Sequence, residues 1–244
     1  MKLLDNVKNL LQKSELPALC SAVVVAAGSS ERMGSDKIMA ELAGLPVLVR
    51  ALLPFQNSPY VEEIVVVTRA DRINRVADVC KEYQLDKVSK VICGGKTRME
   101  SALAGVSEVK AEAKLIAIHD GARPLVSEEL IERTVLAAKD YLAAVPALPV
   151  TDTLKAVDKA GVVVGPVDRE TTVRVQTPQV FTADLIKGAL TAAVTKGLTL
   201  TDDCSAIARM GVKTHTVPGE EDNIKLTTPR DVWLAEAILK EREA

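Results

Sequence analysis

Short apolar runs rich in β-branched residues alternate along the chain with segments of helical periodicity. Four of these runs predict buried strands: Ser21–Ala27, Ile64–Thr68, Val88–Cys93 and Leu115–His119. Each run is bounded by glycine or polar residues, as buried parallel strands usually are. The alternation of strands and helices predicts an open α/β sheet with right-handed crossovers. Ligands of such a sheet bind beside the carboxyl ends of its strands.

The segments between these runs carry helix signals. In two of them apolar residues fall at i, i+4 and i+7, namely Met99, Leu103 and Val106, and Ile131, Val135 and Ala138. Ser127 is followed by two glutamates, which indicates an N-cap with acids near the positive end of a helix. Near the C-terminus, Thr228 and Pro229 predict another helix start, with proline at the first helical position.

One stretch breaks this alternation. The runs Thr153–Val157 and Val162–Val167 flank a turn at 158–161 that contains glycine, which predicts a β-hairpin. A lone hairpin is marginally stable in water, so it must pack on the parent domain or on a second subunit. We find no internal repeat or linker. The sequence therefore predicts an N-terminal extension over residues 1–20 and a single domain over 21–244, with an arm at about 151–175.

Composition excludes several classes of protein. Aromatic residues make up 2% of the 244 residues, which leaves little material for stacking on nucleic-acid bases. The net charge of −2 gives no electrostatic footprint for nucleic acid. Two distant histidines and four scattered cysteines argue against a zinc site. Charges interrupt the first twenty residues and no stretch approaches ~20 apolar residues, so we expect a cytoplasmic protein without a membrane partner.

The loop after the first predicted strand carries the first candidate chemistry. It reads A-A-G-S-S-E-R-M-G-S-D-K and ends at Lys37. Ala26, Ala27 and Gly28 are small, so the base or phosphates of a ligand can approach the backbone closely. Arg32 can grip phosphate oxygens bidentately, while Lys37 supplies a point charge. The loop suits a nucleoside triphosphate, although a tight turn with two solvated surface cations would have the same composition.

This loop is neither a G-x-G-x-x-G motif nor a Walker A motif. A strand followed by A-A-G-x-x-x-R-M-G and a later lysine resembles the signature loop of the sugar- and alditol-phosphate nucleotidyltransferases, which share a Rossmann-like fold. The molybdenum-cofactor nucleotidyltransferases also carry R-M-G-x-x-K followed by G-x-P, and this chain has Gly44-Leu45-Pro46. The loop alone therefore leaves both families open.

Three later segments place polar groups at predicted strand ends or helix starts. Gly94–Ser101 ends a strand and opens a helix, where free backbone N–H groups favour anions or polar base edges. His119–Pro124 sets an acid and a base after the next strand, and Asp222–Thr227 precedes the last helix. Each segment alone could be an ordinary turn, a surface salt bridge or a polar loop into a cap.

Together these segments closely resemble the 2-C-methyl-D-erythritol 4-phosphate cytidylyltransferases of the non-mevalonate isoprenoid pathway. The resemblance runs from about Ser21 to the end of the chain. It rests on seven motifs in order: G-G-x-x-R-x-x-S from Gly94, H-D-G-A-R-P from His119, P-V-x-D-T-x-K from Pro149, V-D-R from Val167, T-P-Q from Thr177, T-D-D from Thr201 and D-N-I-K from Asp222. It implies a Rossmann-like, mostly parallel sheet with a protruding hairpin arm.

The resemblance also implies a role for each matching residue. Nucleotide binding falls to Ala26, Ala27, Gly28, Gly94 and Ser101. Arg32 and Lys37 would stabilise the triphosphate in the transition state. This chain departs from the family pattern twice, with Asp36 where many members have proline and Lys96 where some members have an acid.

The acceptor site that the resemblance implies draws on several motifs. Its residues are Asp120, Arg123, Thr153, Arg169, Thr177, Thr201 and Lys225, and the expected catalytic group is Arg32, Lys37, Arg169 and Lys225. Asp120 would lie beside Mg²⁺ and the acceptor, which makes it the candidate metal ligand. The arm would cross to a partner subunit and bring Thr153 and Arg169 to the partner's acceptor phosphate, so we expect a homodimer.

The implied reaction transfers a cytidylyl group from CTP to 2-C-methyl-D-erythritol 4-phosphate and releases pyrophosphate. The nearest alternative is a ribitol- or other alditol-phosphate cytidylyltransferase, because both acceptors need a phosphate clamp of arginine and lysine. A molybdopterin nucleotidyltransferase is disfavoured by the downstream motifs and the hairpin. A non-catalytic dinucleotide-binding module would need neither cation of the first loop.

Overall fold

The computed structural model describes residues 20–28 and 38–242. In chain order its strands are β1 (Cys20–Val25), β2 (Glu41–Leu42), β3 (Leu45–Pro46), β4 (Val61–Thr68), β5 (Val88–Cys93), β6 (Leu115–Asp120), β7 (Ala143–Pro149), β8 (Lys155–Val157), β9 (Val163–Pro166), β10 (Val173–Val175), β11 (Gln179–Thr182) and β12 (His215–Pro218). The α-helices are α1 (Val47–Asn57), α2 (Ile73–Glu82), α3 (Arg98–Glu108), α4 (Glu128–Tyr141), α5 (Ala183–Thr195), α6 (Asp203–Ala208) and α7 (Pro229–Arg242). The predicted N-terminal extension lies outside the described residues up to residue 19.

Eight strands form one mixed sheet in the order β10-β7-β11-β6-β1-β4-β5, with β12 beside β7. Strands β6, β1, β4 and β5 are parallel, and β11 runs antiparallel to both β6 and β7. These four parallel strands are the four that the apolar runs predict, and the mostly parallel Rossmann-like sheet is confirmed. The strands of the other half of the sheet were not predicted.

Helices cover both faces of β1, β4 and β6, which explains why these strands read as continuous apolar runs. The edge strand β5 departs from the prediction, because its residues are half-buried or exposed and not buried. Val24 packs into the cluster under α1 and α4, whereas Val23 faces the cluster under α3 and α5. Helix α3 approaches the sheet very closely, because a Cβ atom on Gly105 would lie 2.2 Å from Val23 Cγ1. A third, smaller cluster packs α7 against the segment around Leu226, which precedes that helix in the chain.

The helix starts confirm the expected capping chemistry. Ser127 Oγ accepts a hydrogen bond of 2.9 Å from the N–H of Leu130. At the start of α3, Thr97 Oγ1 accepts from Glu100 N–H at 3.1 Å, and the Glu100 carboxylate accepts from Thr97 N–H at 3.0 Å. This reciprocal capping box fixes the first turn of α3. Pro229 is the first residue of α7, as its position predicts.

The predicted hairpin is present as β8 and β9, which pair only with each other among the described strands. Its turn is closed by Asp158, whose carboxylate accepts from the N–H groups of Ala160 and Val162, and Gly161 has a φ of +81°. Val157, Val163 and their neighbouring valines are more than half exposed. Within a single chain these valines are therefore uncovered. No helix in the described ranges has the length and apolar character needed to cross a membrane.

Candidate active site

A cleft of about 630 Å³ lies at the carboxyl ends of β1, β4, β5 and β6. This is the edge at which an open parallel sheet binds its ligands. Among the residues that line it are six from the sequence-based site: Ala26, Ala27, Gly28, Ser101, Asp120 and Lys225. Segments far apart in the chain therefore converge on one cleft, as the motif order predicts.

Small residues let two loops meet at one wall of the cleft. A Cβ atom on Gly94 would lie 2.7 Å from both Ala27 Cβ and Ser101 Oγ, so a side chain has no room there. Ser101 Oγ accepts from Gly95 N–H at 3.1 Å and donates to the carbonyl oxygen of Thr97 at 2.9 Å. Gly94 thus sits behind the lining, and the Ser101 hydroxyl fixes the backbone that faces the cleft.

The cleft is electropositive although the whole chain is slightly acidic. Arg69, Lys96, Arg98 and Lys225 line it, and Asp120 is its only acidic residue within the described ranges. The N-terminus of α3 also opens onto it, which adds the positive end of a helix dipole. These groups together suit a polyanion. Lys96, one of the two departures from the family pattern noted in the sequence, adds to that positive charge.

Asp120 lies at the centre of an ion network. Its Oδ1 atom accepts from Arg98 Nε at 3.0 Å, and its Oδ2 atom accepts from Lys225 Nζ at 2.7 Å. Arg123 Nε stands 4.0 Å from Oδ2. Burial alone would raise the pKa of Asp120, but Arg98 and Lys225 hold it well below its usual range. Asp120 is therefore ionised, and it holds Lys225 at the edge of the cleft.

Two members of this network were missed by the sequence analysis. The Arg98 guanidinium forms a bidentate pair with Asp203, at 3.0 and 2.9 Å. Burial lowers the pKa of Arg98, but the carboxylates of Asp203 and Asp120 outweigh it and raise that pKa above its ordinary value. Both residues lie inside quoted motifs, G-G-x-x-R-x-x-S and T-D-D. A motif names residue types, however, and says nothing about which ones pair.

A buried histidine supports the strand end that carries Asp120. Thr177 Oγ1 accepts from Asp120 N–H and lies 3.1 Å from His119 Nδ1, while His119 Nε2 lies 3.1 Å from the carbonyl oxygen of Arg123. Since a carbonyl oxygen can only accept, this network assigns the proton to Nε2 and leaves Nδ1 to accept from the threonine hydroxyl. Burial lowers the pKa of His119 to about 4, so the ring is neutral at neutral pH.

Both hydrogen bonds of the Thr177 hydroxyl are therefore made within the protein. Thr177 is 4% exposed, and its expected contact with an acceptor stays a prediction. Arg123 is likewise mostly buried, and its NH1 donates to the carbonyl oxygen of Asn223 at 2.6 Å. The Asn223 amide in turn donates to the carbonyl oxygen of Thr177 at 2.9 Å. These bonds fasten the segment that presents Lys225 to the end of β6.

The other predicted site residues do not join this cleft in a single chain. Thr153, Arg169 and Thr201 are exposed and lie outside its described lining. Arg169 donates to the carbonyl oxygen of Thr151 at 3.1 Å, at the base of the hairpin. Arg32 and Lys37 fall outside the described residues, so their roles stay predictions.

The expected role of Asp120 as a ligand for Mg²⁺ stays a prediction. Both of its oxygens are paired with cations, and the described ranges contain no cluster of three or more His, Cys, Asp or Glu residues suited to a metal. Protein-bound Mg²⁺ usually takes one or two carboxylates together with substrate phosphates. A magnesium ion in this cleft would draw on the phosphate oxygens of a nucleotide, with Asp120 as the one carboxylate that lines the cleft among the described residues.

The open α/β sheet with a cationic cleft at its carboxyl edge defines a nucleotide-binding enzyme fold. The model of one family, described as 2-C-methyl-D-erythritol 4-phosphate cytidylyltransferase, matches residues 20–241. The chain belongs to this family. It is thus a nucleotidyltransferase, as the motif order predicts.

Relatives and solved structures agree with this assignment. A protein of this name from Dehalococcoides mccartyi strain CBDB1 is 41% identical over 220 residues, which cover 90% of this chain and 95% of that protein. The solved 4-diphosphocytidyl-2C-methyl-D-erythritol synthase of Anaerococcus prevotii is 30% identical, with a TM-score of 0.81 over 92% of this chain and 99% of its own. The solved cytidylyltransferase of Thermus thermophilus is 31% identical, with a TM-score of 0.74 over 89% and 98%.

Proposed function

We propose that this protein transfers the cytidylyl group of CTP to 2-C-methyl-D-erythritol 4-phosphate, giving 4-diphosphocytidyl-2-C-methyl-D-erythritol and pyrophosphate. The observation that carries this proposal is the convergence of three parts on one cleft. These parts are the Ala26–Gly28 loop, the N-terminus of α3 and the Asp120–Lys225 pair. The first two suit a nucleotide, and the third offers a cation to a second anion.

The nucleotide half of the site rests on close backbone approach and positive charge. The small loop after β1 leaves room for a base and ribose against the backbone, since Gly28 has open space beside it. The start of α3 and Lys96 face the same space and suit phosphate oxygens. By sequence, Arg32 and Lys37 add two more cations, which would offset the charge that grows on the α-phosphate and pyrophosphate.

The acceptor half rests on Lys225. Its ammonium is paired with Asp120, but 38% of the side chain is exposed, so it can turn from the carboxylate to an incoming phosphate. An oxygen of the acceptor phosphate then attacks the α-phosphorus of CTP in line, and pyrophosphate leaves. No covalent enzyme intermediate is needed, so the protein acts by positioning two anions and neutralising their charge.

Magnesium belongs to this proposal as a companion of the triphosphate. Asp120 is the one carboxylate that lines the cleft among the described residues, and its Oδ2 is released when Lys225 turns to the acceptor, so the ion would be held by phosphate oxygens together with this carboxylate. We expect EDTA to abolish pyrophosphate release and Mg²⁺ to restore it. Activity that persists in excess EDTA would contradict this part of the proposal.

We also propose a homodimer in which the arm completes the partner's acceptor site. The exposed valines of the hairpin offer apolar surface to a partner, and Arg169 lies at the base of the same hairpin. Sedimentation should show a dimer at micromolar concentrations. At an acceptor concentration too low for either variant alone to turn over, mixing Arg169→Ala with Lys225→Ala should restore about a quarter of wild-type activity, because half of the dimers would be mixed and each would hold one intact site. No recovery in re-equilibrated mixtures would contradict a shared site.

A cytoplasmic location suits this activity. All four cysteines are unpaired, and Cys20 and Cys80 are buried with pKa values raised by burial. Thiols of this kind persist in a reducing compartment. Fractionation of the native host would test the location directly.

Pyrophosphate release from CTP tests the function itself. The assay compares CTP with GTP, and methylerythritol phosphate with ribitol 5-phosphate and other polyol phosphates. We expect turnover with CTP and methylerythritol phosphate, and a much lower kcat/KM with every other pair. Preference for ribitol phosphate would replace the acceptor, while GTP-dependent stabilisation in thermal shifts would favour a molybdopterin enzyme.

A further inference from the structure

Four charged side chains alternate in sign from the interior to the cleft. The Asp203 carboxylate binds Arg98 NH1 and NH2 at 3.0 and 2.9 Å. Arg98 Nε then donates to Asp120, and Asp120 accepts from Lys225 Nζ at 2.7 Å. The Asp203 side chain is 1% exposed, whereas Lys225 at the other end faces the cleft. The network therefore links a buried anchor to the cation that meets the acceptor.

The buried end of this network is held rigidly. Asp203 is the first residue of α6, and its N–H donates to Gln179 Oε1 at 3.2 Å. The N-cap of the same helix is Asp202, whose carboxylate accepts from Ser205 N–H at 3.1 Å. Strand β11 and the helix cap thus fix the position of the Asp203 carboxylate.

Arg98 is committed to carboxylates rather than free for substrate. Three of its nitrogens already donate to Asp120 and Asp203, and its charge cannot be lost by deprotonation. Its backbone is equally constrained, because it follows the Thr97 capping box at the first position of α3. Its action on a substrate must therefore pass through Asp120.

We propose that Arg98 and Asp203 are positioning residues for the acceptor site, which keep Lys225 available to the acceptor phosphate. This inference rests on the proposed function. The bidentate pair with Asp203 holds the guanidinium so that Arg98 meets Asp120 Oδ1 through Nε, while Asp120 Oδ2 pairs with Lys225. Without the Asp203 charge, the planar guanidinium can grip both oxygens of Asp120 and displace Lys225.

Asp203→Asn tests this role because it removes the charge and keeps the shape. The KM for methylerythritol phosphate should rise about 10- to 100-fold, the range in which a misplaced reactant group falls. The KM for CTP should stay within about twofold. The conservative variant Arg98→Lys should also show a raised KM for the acceptor, because one ammonium cannot bridge two carboxylates as the forked guanidinium does.

The control is Glu108→Gln, at the other end of α3. It makes the same carboxylate-to-amide change and breaks the exposed pair between Glu108 and Lys90. Both KM values should remain unchanged in this variant. If Asp203→Asn lost affinity for CTP as strongly as for the acceptor, the assignment would be overturned, because general damage to the fold would explain both losses.

A double-mutant cycle tests whether Asp203 acts through Lys225. The two side chains do not touch, so independent roles predict additive effects. We expect Asp203→Asn to add less than twofold to the loss in kcat/KM of Lys225→Met. Fully additive losses in kcat/KM would refute the proposal that Asp203 acts through Lys225.

The same cycle, measured by urea unfolding, separates this inference from the proposed function. Wild-type protein that makes no pyrophosphate from CTP and methylerythritol phosphate would refute the function alone. Coupling between Asp203 and Lys225 in unfolding would still establish the network. Additive unfolding effects together with additive kinetics would overturn the network itself.

Discussion

Replacing Asp120 with asparagine removes the only negative charge that described residues contribute to the cleft. The full cost of breaking a buried ion pair, about 3–5 kcal/mol, applies where the remaining charge is left unpaired. Here Arg98 keeps Asp203, and the half-exposed Lys225 can turn to water. The amide also keeps one oxygen for Arg98 Nε. We therefore expect Asp120→Asn to lower the free energy of unfolding by about 2 kcal/mol at pH 7.

The pH dependence of this difference has a definite sign. The pKa of Asp120 is lower in the folded protein than in the unfolded chain, so its contribution is complete above the unfolded value of about 3.9. It is lost as the pH falls further towards the folded pKa. The gap between wild type and Asp120→Asn should thus be constant from pH 5 to 8 and should shrink below pH 4.

Urea denaturation is the suitable assay, because guanidinium would screen the charges being tested. For a chain of this length, about 2 kcal/mol corresponds to a fall in Tm of about 4–8 °C. Glu221→Gln serves as control, since it breaks an exposed pair with Arg174 and should cost little. Equal stability of wild type and Asp120→Asn at pH 7 would refute the view that this carboxylate organises the site.

Three further changes test other parts of the structure. Gly105→Ala should destabilise the protein by about 1–3 kcal/mol in urea unfolding, because the new methyl would overlap the valine methyls of β1 and β4; the helical control Gly188→Ala, which has open space, should be neutral or stabilising. In wild-type protein the buried neutral ring of His119 contributes stability above pH 6.5 that is lost as the pH falls to about 4. His119→Gln should therefore lose about 3 kcal/mol less free energy of unfolding over this pH range than wild type does; parallel curves of unfolding free energy against pH for both proteins would contradict this. Lys37→Ala should lower kcat about 10²–10³-fold, whereas Arg169→Ala should chiefly raise the acceptor KM; near-normal turnover of Lys37→Ala would remove its assigned role.

The predicted strands include the three that are buried on both faces. Strands β1, β4 and β6 are continuous apolar runs because helices cover both sides of them. The edge strand β5 was predicted from its β-branched residues, although Ser89 and Lys90 are exposed. Strand β7 escaped prediction because Ala143–Pro149 contains two prolines and three alanines, which have low strand propensity. It pairs with β10, β11 and β12, so tertiary contacts decide its conformation.

The candidate site was likewise predicted only in part. Motifs located the residues that face the cleft, because strand ends of a parallel sheet meet at one edge. They did not reveal the pair between Arg98 and Asp203, which are 105 positions apart in the chain. They also assigned Ser101 only to a ligand, whereas its hydroxyl already holds the turn at Gly95. Pairing of side chains depends on packing that residue types alone do not encode.

The most direct test of the central claim is to identify the product by ³¹P NMR. The protein would be incubated with CTP, Mg²⁺ and an equimolar mixture of methylerythritol phosphate and ribitol 5-phosphate. We expect pyrophosphate and one new pair of coupled diphosphate resonances, which belong to cytidine diphosphate linked to methylerythritol. A diphosphate linked to ribitol, or no new diphosphate while CTP remains bound, would contradict the account.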